Sequence, residues 1–319
     1  MADPELVPEP ILERDGLKVS KSPWGEDDEI GRLNMMTPDT NRAILEHLDA
    51  RHVFDCNVDY FIGMPSWLAA GDPKYEIWMT HTPQGSVNDN LSGVGSDVHE
   101  AYSYCGDSIH MYTHCGTHID TLNHLGHYGV FWNGWTADEH LGSRIWNKGG
   151  LEHYPPVIAR GVLLDVAGLH GVECLPDSYE VTPEDCQRAA AEAGIEFKKG
   201  DVVCVNMGRM TVWPDFHGYL DHSPGIGLGA AKWLCEEAGA MCIAGDTIGL
   251  EVMPMKEPNS FLPVHAYMFA TAGAQIIEIV DLRELAVEKQ YEFAFLGFPL
   301  KLRGATGAPM PVYAVPLKD

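Results

Sequence analysis

Apolar segments of strand length recur through the second half of the chain, and helix signals separate them. Four such segments are predicted to be buried strands; they cover residues 161–166, 201–206, 241–244 and 275–280. A helix is predicted to start at Thr182, with Pro183 in its first turn, and another covers about 227–238. Near the C-terminus, residues 291–316 alternate aliphatic and aromatic side chains, which predicts one hairpin or more around the turn at 304–307.

Strands therefore alternate with helices in the middle of the chain but cluster at its end. This order favours a mixed α/β fold over a pure doubly wound sheet. The 319 residues are 45% hydrophobic, enough for a core without disulfides. No linker divides them, and we predict an N-terminal arm with a short helix over residues 1–50 and a single catalytic α/β domain over 51–319. The arm's helix should follow Thr37 and Pro38.

The charge balance limits the partners. With 21 Lys and Arg against 46 Asp and Glu, the formal net charge is −25. Such a surface repels a polyphosphate backbone, so nucleic acid is not an expected partner. The first residues read MADPELVPEP, which is not a secretory signal, and no apolar run approaches the roughly 18 residues of a membrane span. We expect a cytoplasmic protein without a membrane partner. No GxGxxG or GxxxxGK[ST] motif supports nucleotide binding.

A short His-rich segment is the strongest chemical signal. Between residues 110 and 124 it holds four imidazoles and one carboxylate. Transition metals bind two or three imidazoles with a carboxylate, and His114, His118 and Asp120 supply that set. Gly116 disfavours a helix here, whereas an extended or looped path brings the even-numbered positions to one side. His124 is then an acid/base candidate. The alternative is a group of structural histidines in a chain that has 15 of them.

Each of three further positions has two possible interpretations. Glu278 lies in an apolar string and needs either a cation or an Arg partner. Asp246 follows a predicted strand and either serves the site or caps a turn. Cys115 is either a thiolate ligand or nucleophile or, the favoured interpretation, a small packing residue, as for the other scattered cysteines.

Four tryptophans also have two interpretations. They either wall an apolar pocket or pack in the core or an interface, and packing is the favoured interpretation for each one alone. They are Trp67, Trp78, Trp132 and Trp135.

The His-rich segment resembles the motif HxGTHxDxPxH of the cyclase-like metal hydrolases, the group that includes bacterial kynurenine formamidase and isatin hydrolase. The match runs from His114 to Asp120 and ends in His124. Long members of that family also look like this chain near 24–25, 31–34 and 245–247. Leu122 stands where the short formamidase-type members have Pro, which leaves the substrate open.

The resemblance implies a mixed α/β fold with a curved central β structure and surrounding helices. It implies a first metal held by His114, His118 and Asp120, with His124 as catalytic base. It also implies that His265 and Glu278 complete the centre, with Asp120 able to bridge to a second ion. The expected cofactor is zinc or manganese, one or two ions, and the expected assembly is a homodimer or homotetramer.

Together these observations predict a metal-dependent hydrolase of a small ring-containing metabolite. The bond that it would cleave is that of an amide, a cyclic amide or a lactone, with metal-bound water as nucleophile and His124 moving the proton. Two alternatives stay open. One is a metal-dependent cyclase or dehydratase, and the other is a non-catalytic protein that binds a metal or small ligand.

Overall fold

A curled nine-stranded sheet forms the centre of the molecule in the computed structural model, which describes residues 3–68, 70–90 and 92–318. Within these ranges the strands are β1 (Pro10–Arg14), β2 (Leu17–Ser20), β3 (Phe54–Asp55), β4 (Glu76–His81), β5 (Gly106–His110), β6 (His118–Asp120), β7 (Val157–Asp165), β8 (Glu180–Val181), β9 (Val202–Asn206), β10 (Gly225–Ile226), β11 (Cys242–Gly245), β12 (Gln275–Glu278), β13 (Glu292–Gly297), β14 (Gly307–Pro309) and β15 (Val312–Pro316).

Helices connect and cover these strands. The α-helices of the described ranges are α1 (Pro38–Glu46), α2 (Pro83–Asp89), α3 (Ser96–Ala101), α4 (Ala137–His140), α5 (Val166–Leu169), α6 (Pro183–Ala193), α7 (Phe216–Leu220), α8 (Leu228–Glu236), α9 (Pro263–Ala266) and α10 (Arg283–Val287). Short 3₁₀ helices cover Gly31–Met35, Trp132–Gly134, Leu151–His153 and Arg209–Val212, and a π-helix covers Tyr267–Ala272.

The large sheet has the order β14-β6-β12-β11-β9-β7-β13-β15-β3. Its four middle strands, β7, β9, β11 and β12, run parallel and are joined by helical connections. The flanking strands pair antiparallel, β6 and β14 on one side and β13, β15 and β3 on the other. The predicted mixed α/β fold with a curved central sheet is confirmed.

The middle strands are buried on both faces. Side chains alternate between the two faces of a strand, so each of these strands contributes to two cores. Val162 and Leu164 of β7 pack towards α6 and α8. Leu163, between them, packs on the opposite face with Phe293 and Phe295 of β13. The apolar runs that predicted these strands therefore fill two cores.

The expected C-terminal hairpin around the turn at 304–307 is present, because β13 and β15 pair antiparallel on either side of it, Phe295 opposite Ala314. Gly304 turns the chain, with φ +66. The short strand β14, which follows Gly304, does not join this hairpin and pairs with β6. β6 already pairs with β12 along one edge, so β14 completes the hydrogen bonds of its other edge. An alternating pattern identifies strands but does not name their partners.

The N-terminal residues contain the predicted helix. Thr37 caps α1 through a capping box with Thr40. The β1–β2 hairpin was not predicted, since its strands are short and largely exposed. The division into an arm and a single catalytic domain stays a prediction.

Arg32 ties this N-terminal region to the core. The residue is 0% exposed, and its guanidinium donates to four backbone carbonyl oxygens at 2.7–2.9 Å. They belong to Leu6, Cys235, Ala240 and Ala272. A guanidinium in this position satisfies acceptors that would otherwise be buried without a donor.

We expect Arg32→Met to lower the free energy of unfolding by at least about 3 kcal/mol, because several buried carbonyl oxygens lose their donors. Equilibrium denaturation in urea measures it. The matched control is Arg51→Met, whose side chain is 89% exposed and should change stability by no more than about 0.5 kcal/mol. Equal losses in the two variants would contradict this role.

A separate two-stranded sheet stands apart from the large one. Its strands β4 and β5 have no fully buried residue in the described chain, and β4 lines a groove together with α2 and α3. Across the described ranges, no helix combines the length and apolar character needed to cross a membrane.

Candidate metal centre

Strand β6 carries the first two candidate ligands. His118 and Asp120 are two residues apart, so their side chains leave the same face of the strand. In the register with β12, His118 lies opposite Glu278 at the carboxyl end of that parallel strand. Functional side chains often collect at this end of an α/β sheet, and here the pairing brings three predicted ligands together.

His114 reaches the same place through a turn. Gly116 has φ +60, a conformation that L side chains rarely adopt, and it turns the chain between His114 and β6. Nδ1 of His114 lies 2.5 Å from Oδ1 of Asp120, and Nε2 lies 2.9 Å from the Thr306 hydroxyl. Gly307 leaves room for the ring, since a Cβ there would lie 2.5 Å from it.

His265 enters from helix α9 on the opposite side. Its Nε2 lies 3.1 Å from Oε1 of Glu278 and 3.9 Å from Oδ2 of Asp120. Its Nδ1 donates to Oε1 of Glu251 at 2.6 Å. Burial would lower the pKa of His265, but the hydrogen bonds to Glu251 and Glu278 raise it to about 10.

The predicted ligands therefore form one cluster. Two overlapping sets have donor atoms within 4.8 Å of one another, and Asp120 belongs to both. The sets are His114, His118 and Asp120, and Asp120, His265 and Glu278. Burial would raise the pKa of Asp120, but the neighbouring His114, the largest opposing influence, and His118 hold it well below its usual value. The shared carboxylate is thus ionised at neutral pH.

These residues fit a divalent cation. Nε2 of His118 is buried and has no hydrogen-bond partner among the described residues, although Asp120 and Glu278 each place an oxygen 3.4 Å away. Its Nδ1 donates to the Gly116 carbonyl at 2.8 Å, which leaves the Nε2 lone pair facing the cluster. No Lys or Arg lines the adjoining cavity in the described ranges, so the carboxylates have only imidazoles beside them.

His124 differs from the other three histidines in its access to the cavity. Its side chain is 22% exposed, against 6%, 1% and 4% for His114, His118 and His265. It stacks on His114 with ring centroids 4.2 Å apart, and its Nε2 lies 3.9 Å from Oδ2 of Asp120. Burial lowers the pKa of His124 to about 3, and the other histidines add to this against the opposing effect of Asp120. The ring is therefore neutral at neutral pH and open to the cavity.

The cluster forms the polar floor of a cavity of about 160 Å³. The walls are mainly apolar, and Asp72 and Tyr112 add polar groups. The larger apolar wall residues are Trp67, Leu125, Ile248, Met253, Phe261 and Leu262. Of the four tryptophans considered, Trp67 lines the cavity, Trp132 and Trp135 pack in the core, and Trp78 is half exposed on β4.

The structure also decides the three open interpretations. Cys115 is fully buried beside Met64 and Tyr75, and burial raises the pKa of its thiol to about 12, as expected of a packing residue. Asp246 accepts the backbone N–H groups of Met207 and Arg209, so it fixes the loop after β9. The Arg partner considered for Glu278 is wrong, because no Arg of the described residues contacts its carboxylate. Its Oε2 accepts from the Gly249 N–H, and its Oε1 lies 3.1 Å from Nε2 of His265.

Sequence reasoning missed Glu251, whose carboxylate holds His265. The signal was present, because Glu251 lies between Leu250 and Val252 just as Glu278 lies in an apolar string. The sequence did not indicate which residues wall the cavity, since these residues come from several separate segments of the chain.

The comparisons with known families agree with this geometry. A family described as "Putative cyclase" matches residues 48–252. The chain belongs to this cyclase family. The resemblance drawn from the His-rich motif is therefore confirmed. The comparison with curated proteins finds no match.

Solved structures share the cyclase-family fold. A structure described as a novel cyclase is 26% identical, with TM-score 0.80, and the match covers 92% of this chain and 95% of that one. Isatin hydrolase A from Labrenzia aggregata is 18% identical, with TM-score 0.61 over 84% and 94% of the two chains. A protein from Bacillus stearothermophilus, described as a predicted metal-dependent hydrolase, is 19% identical, with TM-score 0.53 over 83% and 98%. At 18% and 19% identity, the likeness to the last two structures shows that the fold is shared.

Proposed function

We propose that this cyclase-family protein is a metal-dependent hydrolase of an amide, cyclic amide or lactone in a small ring-containing molecule. One observation carries the proposal. Five buried donor residues converge on the floor of an apolar cavity, with a more accessible imidazole, His124, beside them. The isatin hydrolases and metal-dependent hydrolases among the structures of the same fold support the reaction class.

The cation would be held by His114, His118 and Asp120, with His265 and Glu278 completing the centre. When bound, a divalent cation lowers the pKa of water towards neutrality and polarises a carbonyl group. Zinc and manganese both suit imidazole and carboxylate ligands without a thiolate. The hydrogen bonds at Nδ1 of His118 and His265 favour metal binding, because a ring that is already oriented loses little freedom when it becomes a ligand.

His124 is the proposed acid/base. Its neutral imidazole can take the proton of the attacking water and return it to the leaving nitrogen or oxygen. The stack on His114 and the edge contact with Phe269, at 6.1 Å between ring centroids, hold the ring at the cavity. These contacts keep Nε2 close to the reacting atoms without tying it to a strong hydrogen-bond partner.

The cavity walls favour a compact, largely apolar substrate. Trp67 and Phe261 offer aromatic surface for a ring, and Tyr112 offers a hydroxyl near the cluster. With no Lys or Arg on its described walls, the cavity lacks a partner for an anionic substrate. Neutral lactams, cyclic imides, aryl amides and lactones are therefore the first compounds to assay.

The test is product analysis in isotopically labelled water with protein loaded with zinc or manganese. Hydrolysis places one labelled oxygen in the product acid, and chelator-treated protein should lose the activity and regain it on reloading. A product that is isomeric with the substrate, or one that has lost water, would instead indicate a cyclase or dehydratase. Tight metal and ligand binding without turnover of any compound would favour a binding protein.

A further inference from the structure

Glu251 is a buried acid directly behind the cluster. It is 1% exposed, and it does not itself line the cavity. Its Oε1 accepts from Nδ1 of His265 at 2.6 Å and from the His265 backbone N–H at 3.2 Å, and its Oε2 accepts from the Val264 N–H at 3.4 Å. A buried carboxylate is costly unless it is well satisfied, and here every contact leads to the start of α9.

The contact at Nδ1 decides how His265 faces the cluster. A carboxylate only accepts, so Nδ1 carries a proton towards Glu251, and this leaves Nε2, the atom that faces Asp120 and Glu278, as the nitrogen that a cation would bind. His118 has the same orientation, but a backbone carbonyl, that of Gly116, holds its Nδ1. An imidazole whose N–H donates to an anionic acceptor is a stronger ligand for a cation than one whose N–H donates to a neutral carbonyl.

We propose that Glu251 is a positioning residue of the metal centre, which fixes the tautomer and orientation of His265 and strengthens Nε2 as a ligand. The proposal rests on the proposed metal centre but not on hydrolysis. It assigns Glu251 no contact with the cation or the substrate. Glu251 acts only through His265, so its effect must disappear when His265 is absent.

A purely structural role for Glu251 predicts something different. A carboxylate that only caps α9 would contribute to stability without changing metal affinity. The chain offers a matched case in Asp185, which is also buried, caps α6 at Thr182 and contacts Nε2 of His170 at 2.9 Å, yet belongs to neither ligand set. Asp185→Asn therefore reports the cost of losing a buried capping carboxylate beside a histidine.

The experiment is a zinc titration against a competing chelator on the full-length chain, without substrate. We expect Glu251→Gln to raise the zinc Kd about 10-fold, because it removes the charge, and Glu251→Ala about 100-fold, because it also removes the acceptor. Asp185→Asn should keep the wild-type Kd even if its unfolding midpoint falls. The absorption bands of the cobalt(II)-loaded protein should shift in both Glu251 variants and not in Asp185→Asn.

A double-mutant cycle shows whether Glu251 acts through His265. In a His265→Ala background, Glu251→Gln should no longer change the zinc Kd. Wild-type zinc affinity in both Glu251 variants would overturn the proposal and leave a helix cap, and so would an undiminished effect in the His265→Ala background. If wild type bound no zinc, the metal centre itself would be overturned with it.

A measurement on the wild-type chain keeps the proposal testable if the variants fail to fold. NMR of isotope-labelled histidine in the zinc-loaded protein should show His265 with its proton on Nδ1 and the metal on Nε2. The opposite tautomer would overturn the role of Glu251. Neither NMR result depends on which bond the enzyme cleaves, so a failure of the hydrolase proposal is distinguished from a failure of this one.

Discussion

Replacement of His124 by glutamine is expected to lower turnover about 10²–10⁴-fold, the usual contribution of a positioned general acid or base. Glutamine approximates the size of the ring and keeps a polar end, but it cannot carry the proton. The metal content should stay at the wild-type level, because His124 belongs to neither ligand set of the cluster. Steady-state kinetics on a hydrolysed substrate and elemental analysis of the same preparation measure the two quantities.

The matched control for this variant is His127→Gln. His127 lies three residues further along the chain and lines a neighbouring groove rather than the cavity over the cluster. Its turnover should equal that of wild type. Undiminished turnover in His124→Gln would remove the role given to His124, and loss of metal from that variant would reassign it as a ligand.

Asp120→Asn is expected to empty the centre of metal. Asp120 is the one residue that both ligand sets share, and its two oxygens face His114 on one side and His265 on the other. An amide oxygen is a weaker ligand than a carboxylate, and the variant also loses the negative charge that offsets the cation. Metal content after reconstitution should fall to background, and turnover should fall with it.

Glu278→Gln is the variant to compare with Asp120→Asn. Glu278 belongs to the second set alone, so this variant keeps the complete set of His114, His118 and Asp120. If wild type holds two ions, Glu278→Gln should keep one of them. Wild-type metal content in Asp120→Asn would contradict the shared-ligand geometry.

The sequence predicts the middle of the fold and the core of the site because both depend on local signals. Apolar runs bounded by glycine and proline mark β7, β9 and β11, and Thr182 with Pro183 marks the start of α6. The proposed ligands His118 and Asp120 are close in sequence and on one strand, so their convergence needs no knowledge of the tertiary structure.

The remaining features depend on contacts that are distant in sequence. His265 and Glu278 reach the cluster only because β12 pairs with β6, and residue patterns do not specify that pairing. Glu251 acts through a hydrogen bond to a residue fourteen positions away. The position of β14 has the same origin, since it is set by the pairing with β6 and not by its own sequence.

Metal content per chain shows whether the buried cluster is a metal centre. Elemental analysis would be made on wild type, His118→Ala and the control His110→Ala, each reconstituted with zinc or manganese and freed of excess ion. His118 is a proposed ligand, whereas His110 lies in the same His-rich segment but is exposed on β5, outside the cluster. We expect about one or two equivalents in wild type and His110→Ala and loss of metal in His118→Ala. A wild-type chain that stays metal-free, or a His118→Ala chain that holds as much metal as wild type, would contradict it.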